Sequence, residues 1–215
     1  MEQTAKELQM HKVIAIARGL RDRDYARLAD ALFRGGVRFL ECTFDQAHPE
    51  SHGGLARILS SLSDGFAGRL TIGAGTVTTT ALVELAAGAG AKFIVSPDSN
   101  EAVIRRTKEM GLLSIPGAAT PTEILAAHRW GADFVKVFPA GELGAGYIKA
   151  IRSPLNHVRL LAVGGIDEGN CRAFTDAGCA GVGIGGRLTN AGLLQGEDLG
   201  GVVSLAKQIV ALVGG

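Results

Sequence analysis

Apolar, β-branched runs recur along the chain at intervals of roughly 20–30 residues, and nearly every one feeds an amphipathic segment. The runs are 13–17, 38–44, 70–75, 93–96, 112–116, 134–138, 159–164 and 181–185. Between them lie helix-start signals: Asp22 before Tyr25, Ala26, Leu28 and Ala29; Thr78 before Leu82, Val83 and Leu85; Ser99 before Val103 and Ile104. Pro121 suits a first helical turn, with Thr120 as its cap and Glu123 in the same turn. Gly35, Gly90, Gly111, Gly131 and Gly178 fall where each helix should stop. Eight strand-then-helix units with continuously hydrophobic strands predict an α/β fold with an all-parallel sheet closed into a (β/α)8 TIM barrel. An open doubly wound sheet is the alternative, disfavoured because no strand carries a GxGxxG fingerprint. No linker or low-complexity tract interrupts the pattern, so 1–215 is expected to be a single barrel domain.

A barrel places chemistry at the C-terminal ends of its strands, on residues that point inward. Alternation assigns them: Ile14, Ile16 and Arg18 share one face of the first strand, Phe39, Glu41 and Thr43 of the second, and Phe134, Lys136 and Phe138 of the sixth. One register turns Arg18, Glu41 and Lys136 inward together, and the three are expected to form one site. Lys136 is the only charge in the run 134–138. Desolvation drives such a lysine toward its neutral amine, a nucleophile able to form a Schiff base with a ketone. Glu41 beside it would move protons at the carbinolamine and at the hydroxyl where a carbon–carbon bond breaks. The bland alternatives are a lysine snorkelling into solvent and a structural Glu41–Lys136 salt bridge.

Composition narrows the function classes. A formal charge of +1 gives no electrostatic case for nucleic acid or an anionic membrane. The first residues lack an apolar signal core, and no segment approaches a membrane span. Cys42, Cys171 and Cys179 are odd in number and form no CxxC, which suggests reduced thiols and a cytoplasmic location. Cys42, next to Glu41, should face the helical layer as a small hydrophobe.

Glycine marks several strand ends. Gly73 and Gly75 precede Thr76, whose hydroxyl and N–H suit a carboxylate. Gly164–Gly165 and Gly185–Gly186 end the last two strands, where barrels often bind phosphate, and Arg187 would strengthen an anion site. Glycine at such positions also serves ordinary turns. The loop with Asp45, His48, Glu50 and His52 has metal-binding donor types, yet a polar loop opening a helix explains the same residues.

Seven motifs, in order, are similar to those of the KDPG/KHG aldolases. They are Val13-Ile14-Ala15-Ile16-Ala17-Arg18, Leu40-Glu41-Cys42-Thr43, Gly73-Ala74-Gly75-Thr76-Val77, Phe93-Ile94-Val95-Ser96-Pro97, the stretch Pro116 to Glu123, Val135-Lys136-Val137-Phe138-Pro139-Ala140, and Gly164-Gly165-Ile166. The proline-bearing stretch and the lysine strand are specific; the glycine motifs are not. The resemblance implies a class I lyase that cleaves 2-keto-3-deoxy-6-phosphogluconate or 4-hydroxy-2-oxoglutarate to pyruvate and an aldehyde. It implies Lys136 as Schiff-base lysine, Glu41 as acid/base, Arg18 and Thr76 as substrate contacts, and a homotrimer. Pro116, Phe138, Gly164, Gly165, Gly185, Gly186 and Arg187 complete the candidate substrate-binding set. No cofactor or metal is expected, because an iminium is its own electron sink. Three positions depart from the family pattern: Asp45 replaces an arginine, Val163 a threonine and Arg187 a serine. They bear on the substrate's anionic groups rather than on the catalytic pair. Two competing readings remain, a phosphate-binding isomerase or synthase that forms no covalent adduct, and a barrel that binds a small acid without turnover.

Overall fold

The computed structural model describes residues 1–189, 191–194 and 199–214. Its strands are β1 (Val13–Ala17), β2 (Phe39–Thr43), β3 (Thr71–Gly75), β4 (Phe93–Val95), β5 (Leu113–Ile115), β6 (Gly117–Ala118), β7 (Val135–Val137), β8 (Leu160–Val163) and β9 (Gly181–Ile184). They form one parallel sheet in the order β5-β4-β3-β2-β1-β9-β8-β7-β6. The two outermost strands are consecutive in the chain, separated only by Pro116. Proline has no N–H to give to a ladder, so the fifth stave is divided there. Its first half pairs with β4 and its second with β7. Nine strands therefore make the eight expected staves of a nearly closed barrel, and the predicted sixth strand is β7.

Helices follow the strands: α1 (Glu2–His11), α2 (Asp22–Arg34), α3 (His52–Gly65), α4 (Thr80–Gly88), α5 (Glu101–Glu109), α6 (Pro121–Arg129), α7 (Ala140–Arg152), α8 (Cys171–Asp176), α9 (Gly186–Thr189) and α10 (Gly200–Gly214). Thr120 caps α6 in a full capping box with Glu123. Elsewhere the caps lie one residue from their expected places. Thr79 rather than Thr78 caps α4, and Asn100 rather than Ser99 caps α5. Asp22 opens α2 as its first residue instead of capping it.

Alternation divides the core in two. Inward residues Ile14, Phe39, Phe93, Val95, Leu113, Ile115, Phe134, Leu161 and Val163 fill the barrel. Outward residues such as Ala15, Leu40, Cys42, Ile72, Ile94, Val135 and Val182 pack under the helices. Cys42 therefore faces the helical layer, as its neighbourhood to Glu41 requires. The weakly amphipathic α1 has no counterpart in the strand–helix repeat. It sends Ala5 and Leu8 into the interior cluster, so it closes the end of the barrel opposite the strands' C-termini.

Candidate active site

Lys136 sits in the middle of β7, with Gly117 and Leu161 as its register partners. Its N–H donates to the Pro116 carbonyl at 2.8 Å, so the proline that divides the fifth stave still supports the lysine strand. The side chain is 8% exposed, and its Nζ lies 4.8 Å from the centroid of the Phe138 ring. Burial pulls the amine below the ordinary lysine range. The Glu41 carboxylate works against that shift and the Arg18 guanidinium reinforces it.

Glu41 lies on β2, opposite Ile16 of β1 and Gly73 of β3. It is 3% exposed, and burial raises its pKa while Lys136 and Arg18 oppose the rise. Among the described residues, no ion pair within 4.0 Å joins Glu41 to Lys136. Burial thus moves each group toward its neutral form, and the charge of the other opposes the move. Room for Glu41 comes from its neighbour strand. A Cβ built on Gly75 would stand 1.7 Å from Glu41 Oε1, and one on Gly73 would strike the Phe93 ring at 2.5 Å. These glycines make space for side chains rather than for a turn.

Arg18 follows β1, and its Nη2 donates to Thr76 Oγ1 at 3.0 Å. Thr76 has φ of 57°, an uncommon conformation for a β-branched residue. Gln46 holds it from the neighbouring loop. Its Nε2 donates to the Thr76 carbonyl at 2.7 Å, and its Oε1 accepts from Thr78 Oγ1 at 3.2 Å. Nothing in the sequence pattern singles out Gln46, because the contact joins loops thirty residues apart.

These residues line one cavity of about 650 Å³ at the C-terminal end of the barrel. Arg18, Glu41, Thr76, Lys136, Phe138, Gly164, Gly165, Gly185, Gly186 and Arg187 all line it. Of the expected substrate contacts, Pro116 alone does not line it; it is buried, and its carbonyl accepts the Lys136 N–H. Pro97, Val163, Asp167 and Gly183 join the lining. Gly164 has φ of 88°, and a Cβ there would meet the Phe138 ring at 2.9 Å. Arg187 donates from Nε and Nη2 to the two oxygens of Glu168, a residue that no sequence pattern singles out. In the β2–α3 loop, His48 Nδ1 and Asp45 Oδ2 are 2.9 Å apart, and His52 Nε2 meets the Asp45 carbonyl at 2.8 Å. That loop closes on itself, and among the described residues no group of three potential metal ligands converges. A second cavity, of about 690 Å³, is lined by Arg38, Arg69 and Lys92 and contains neither Lys136 nor Glu41.

A buried amine and a buried carboxyl sharing a cavity form a site for carbonyl chemistry, and comparison with known proteins agrees. The family model described as KDPG and KHG aldolase matches residues 2–205. A probable 2-dehydro-3-deoxy-6-phosphogalactonate aldolase of Rhizobium meliloti (strain 1021) is 38% identical over 186 residues, 86% of this chain and 85% of the relative. A solved structure described as native KDPGal aligns with a TM-score of 0.83 at 31% identity, covering 93% of both chains. KDPG aldolase from Legionella pneumophila, solved with pyruvate captured as a covalent carbinolamine intermediate, aligns with a TM-score of 0.82 at 25% identity. That alignment covers 95% of this chain and 97% of the other. With the matched family extending over nearly the whole barrel, the chain belongs to the KDPG and KHG aldolases.

Proposed function

We propose that Lys136 is the Schiff-base lysine and Glu41 the acid/base of a class I pyruvate aldolase, acting on a 2-keto-3-deoxy or 4-hydroxy-2-oxo acid. The observation that carries this assignment is the shared burial of the two groups without a direct ion pair. The Lys136 amine adds to the C2 ketone, and the Glu41 carboxyl donates the proton that lets the carbinolamine lose water. The resulting iminium accepts the electron pair of the C3–C4 bond as that bond breaks. Glu41, now a carboxylate, takes the proton of the C4 hydroxyl, which leaves as an aldehyde. Protonation of the enamine at C3 and hydrolysis then release pyruvate and restore the amine. Arg18 and Thr76 hold the 2-oxo acid's carboxylate in this reading, which their shared hydrogen bond at the cavity supports. Phe138 covers Lys136, and the glycine wall receives the distal part of the substrate.

The related aldolases support a substrate of the 2-keto-3-deoxy sugar acid type, and the family supports a homotrimer. Light scattering should then give three times the chain mass of 22.2 kDa. Three buried free cysteines suit a reducing compartment such as the cytoplasm. Among the described residues, no helix is long and apolar enough to cross a membrane. We read the whole chain, 1–215, as one barrel domain.

Incubation with pyruvate and borohydride tests the assignment. Peptide mapping should find an irreversible adduct at Lys136, formed more slowly in the Glu41→Gln variant. An adduct on Lys92 or Lys149, or none, would remove Lys136 from its role.

A further inference from the structure

Thr76 lines the cavity, and the side chain that holds it, Gln46, does not. The chain on either side of Thr76 is fixed by backbone bonds. The Gly75 carbonyl accepts from the Phe44 N–H at 2.9 Å, and the Val77 N–H donates to the Val95 carbonyl at 3.2 Å. Between these anchors Thr76 takes a φ of 57°, a left-handed conformation that a β-branched side chain resists. The Gln46 amide secures it there. Its Nε2 donates to the Thr76 carbonyl at 2.7 Å while its Oε1 accepts from Thr78 Oγ1 at 3.2 Å, so both ends of the amide are engaged around this one turn.

The β2–α3 loop that presents Gln46 is itself braced. Phe44, just ahead of it, is fully buried and meets the His52 ring edge-on, with centroids 5.1 Å apart. Asp45 directs its carboxylate back into the loop: Oδ1 accepts from the Ala47 N–H at 2.9 Å, and Oδ2 lies 2.9 Å from His48 Nδ1. His52 Nε2 meets the Asp45 carbonyl at 2.8 Å. Side chains with metal-binding donor types therefore fix the backbone on which Gln46 stands.

Thr76 in turn orders a cation. Arg18 is exposed, and its Nη2 donates to Thr76 Oγ1 at 3.0 Å. Among the described residues it joins no carboxylate in an ion pair, so its charge is available to a substrate. An exposed arginine without a partner samples many rotamers, and a ligand that must order it loses affinity. We infer that Gln46 is a positioning residue for the substrate's carboxylate: by holding Thr76 left-handed, it keeps the Thr76 hydroxyl and the Arg18 guanidinium together as one preformed receptor. The inference rests on the aldolase reading above and adds to it the residue that sets affinity for the 2-oxo acid.

Exchange of the methyl protons of pyruvate tests it, with Gln46→Ala beside the wild-type protein. KM for pyruvate should rise about five- to tenfold, the scale of one lost hydrogen bond, with kcat held within about twofold. At saturating pyruvate the variant should still form the borohydride adduct at Lys136. Gln46 is exposed, so its removal leaves the core intact. A double-mutant cycle identifies the route. Thr76→Gly lacks the hydroxyl and adopts left-handed backbone freely, so it should raise KM by itself. Adding Gln46→Ala to it should then change KM by less than about twofold. An unchanged KM in Gln46→Ala overturns the inference. A fall in kcat larger than the rise in KM also does, since it marks a general loosening of the site. Independent, multiplying effects in the double variant would overturn it as well. A wild-type protein with neither exchange nor adduct would instead bring down the aldolase reading.

Discussion

At the scale of single residues, the site sets burial against charge. Lys136 and Glu41 are both enclosed, and each is pushed toward its neutral form by desolvation. That arrangement serves a nucleophilic amine and disfavours the folded state, so Lys136→Met should abolish adduct formation and raise stability. The pH dependence follows from linkage. The folded-state pKa of Lys136 lies below its unfolded value, so between the two the unfolded chain binds the extra proton and stability rises with pH. Below the folded-state pKa the full penalty is present. The gain on substitution should therefore be about 0.5–2 kcal/mol at neutral and mildly acidic pH. It should shrink as the pH climbs toward the unfolded-state pKa. Because burial also raises Glu41, the carboxyl left behind can keep its proton and adds no unpaired charge. Denaturant melts of the two proteins across that pH range check both sign and trend; an equal or lower stability of the Met variant contradicts the account.

Among the elements, β3 matters for what it lacks. Its glycines stand beside the Glu41 side chain and the Phe93 ring, and the register Glu41↔Gly73 and Thr43↔Gly75 fixes that juxtaposition. Gly75→Ala would place a methyl group inside the Glu41 carboxyl, which must then leave its position relative to Lys136. On the acid/base role proposed for Glu41, the misplacement forfeits most of its contribution, so kcat should fall about 10²–10⁴-fold. Overpacking of this kind typically destabilises by about 1–3 kcal/mol. Steady-state kinetics beside a thermal melt separates the two effects. A near-normal kcat in a folded variant would show that Glu41 is not held by this contact. The division at Pro116 is the element-scale departure from an ideal barrel: the missing N–H interrupts one stave, yet the proline carbonyl still receives the Lys136 N–H.

Across the whole molecule, the barrel has two ends with different tasks. The C-terminal end is open and holds the 650 Å³ cavity; the other end is closed by α1 through Ala5 and Leu8. Leu8 is fully buried, so Leu8→Ala should cost about 2–5 kcal/mol, measurable as a lower denaturation midpoint. Lys136 lies on the far side of the interior cluster, so kcat at a temperature where the variant is folded should change far less than in Gly75→Ala. A loss of kcat without a loss of stability would overturn that separation. Strand–helix repetition, inward alternation and the placement of Arg18, Glu41 and Lys136 on one face were all legible in the sequence. They depend on local periodicity and on the high free energy of burying a charge, which leave their mark in single segments. The cap positions of α4 and α5 were legible only to within a residue, because neighbouring hydroxyl and amide side chains compete for the same amides. Other features were decided only in three dimensions. The role of α1 as a plug, the obligate smallness of Gly75, the hold of Gln46 on Thr76 and the capture of Arg187 by Glu168 all join residues distant in sequence. No periodicity encodes such contacts. They exist because barrel closure brings the strand ends and their loops within reach of one another around a single cavity.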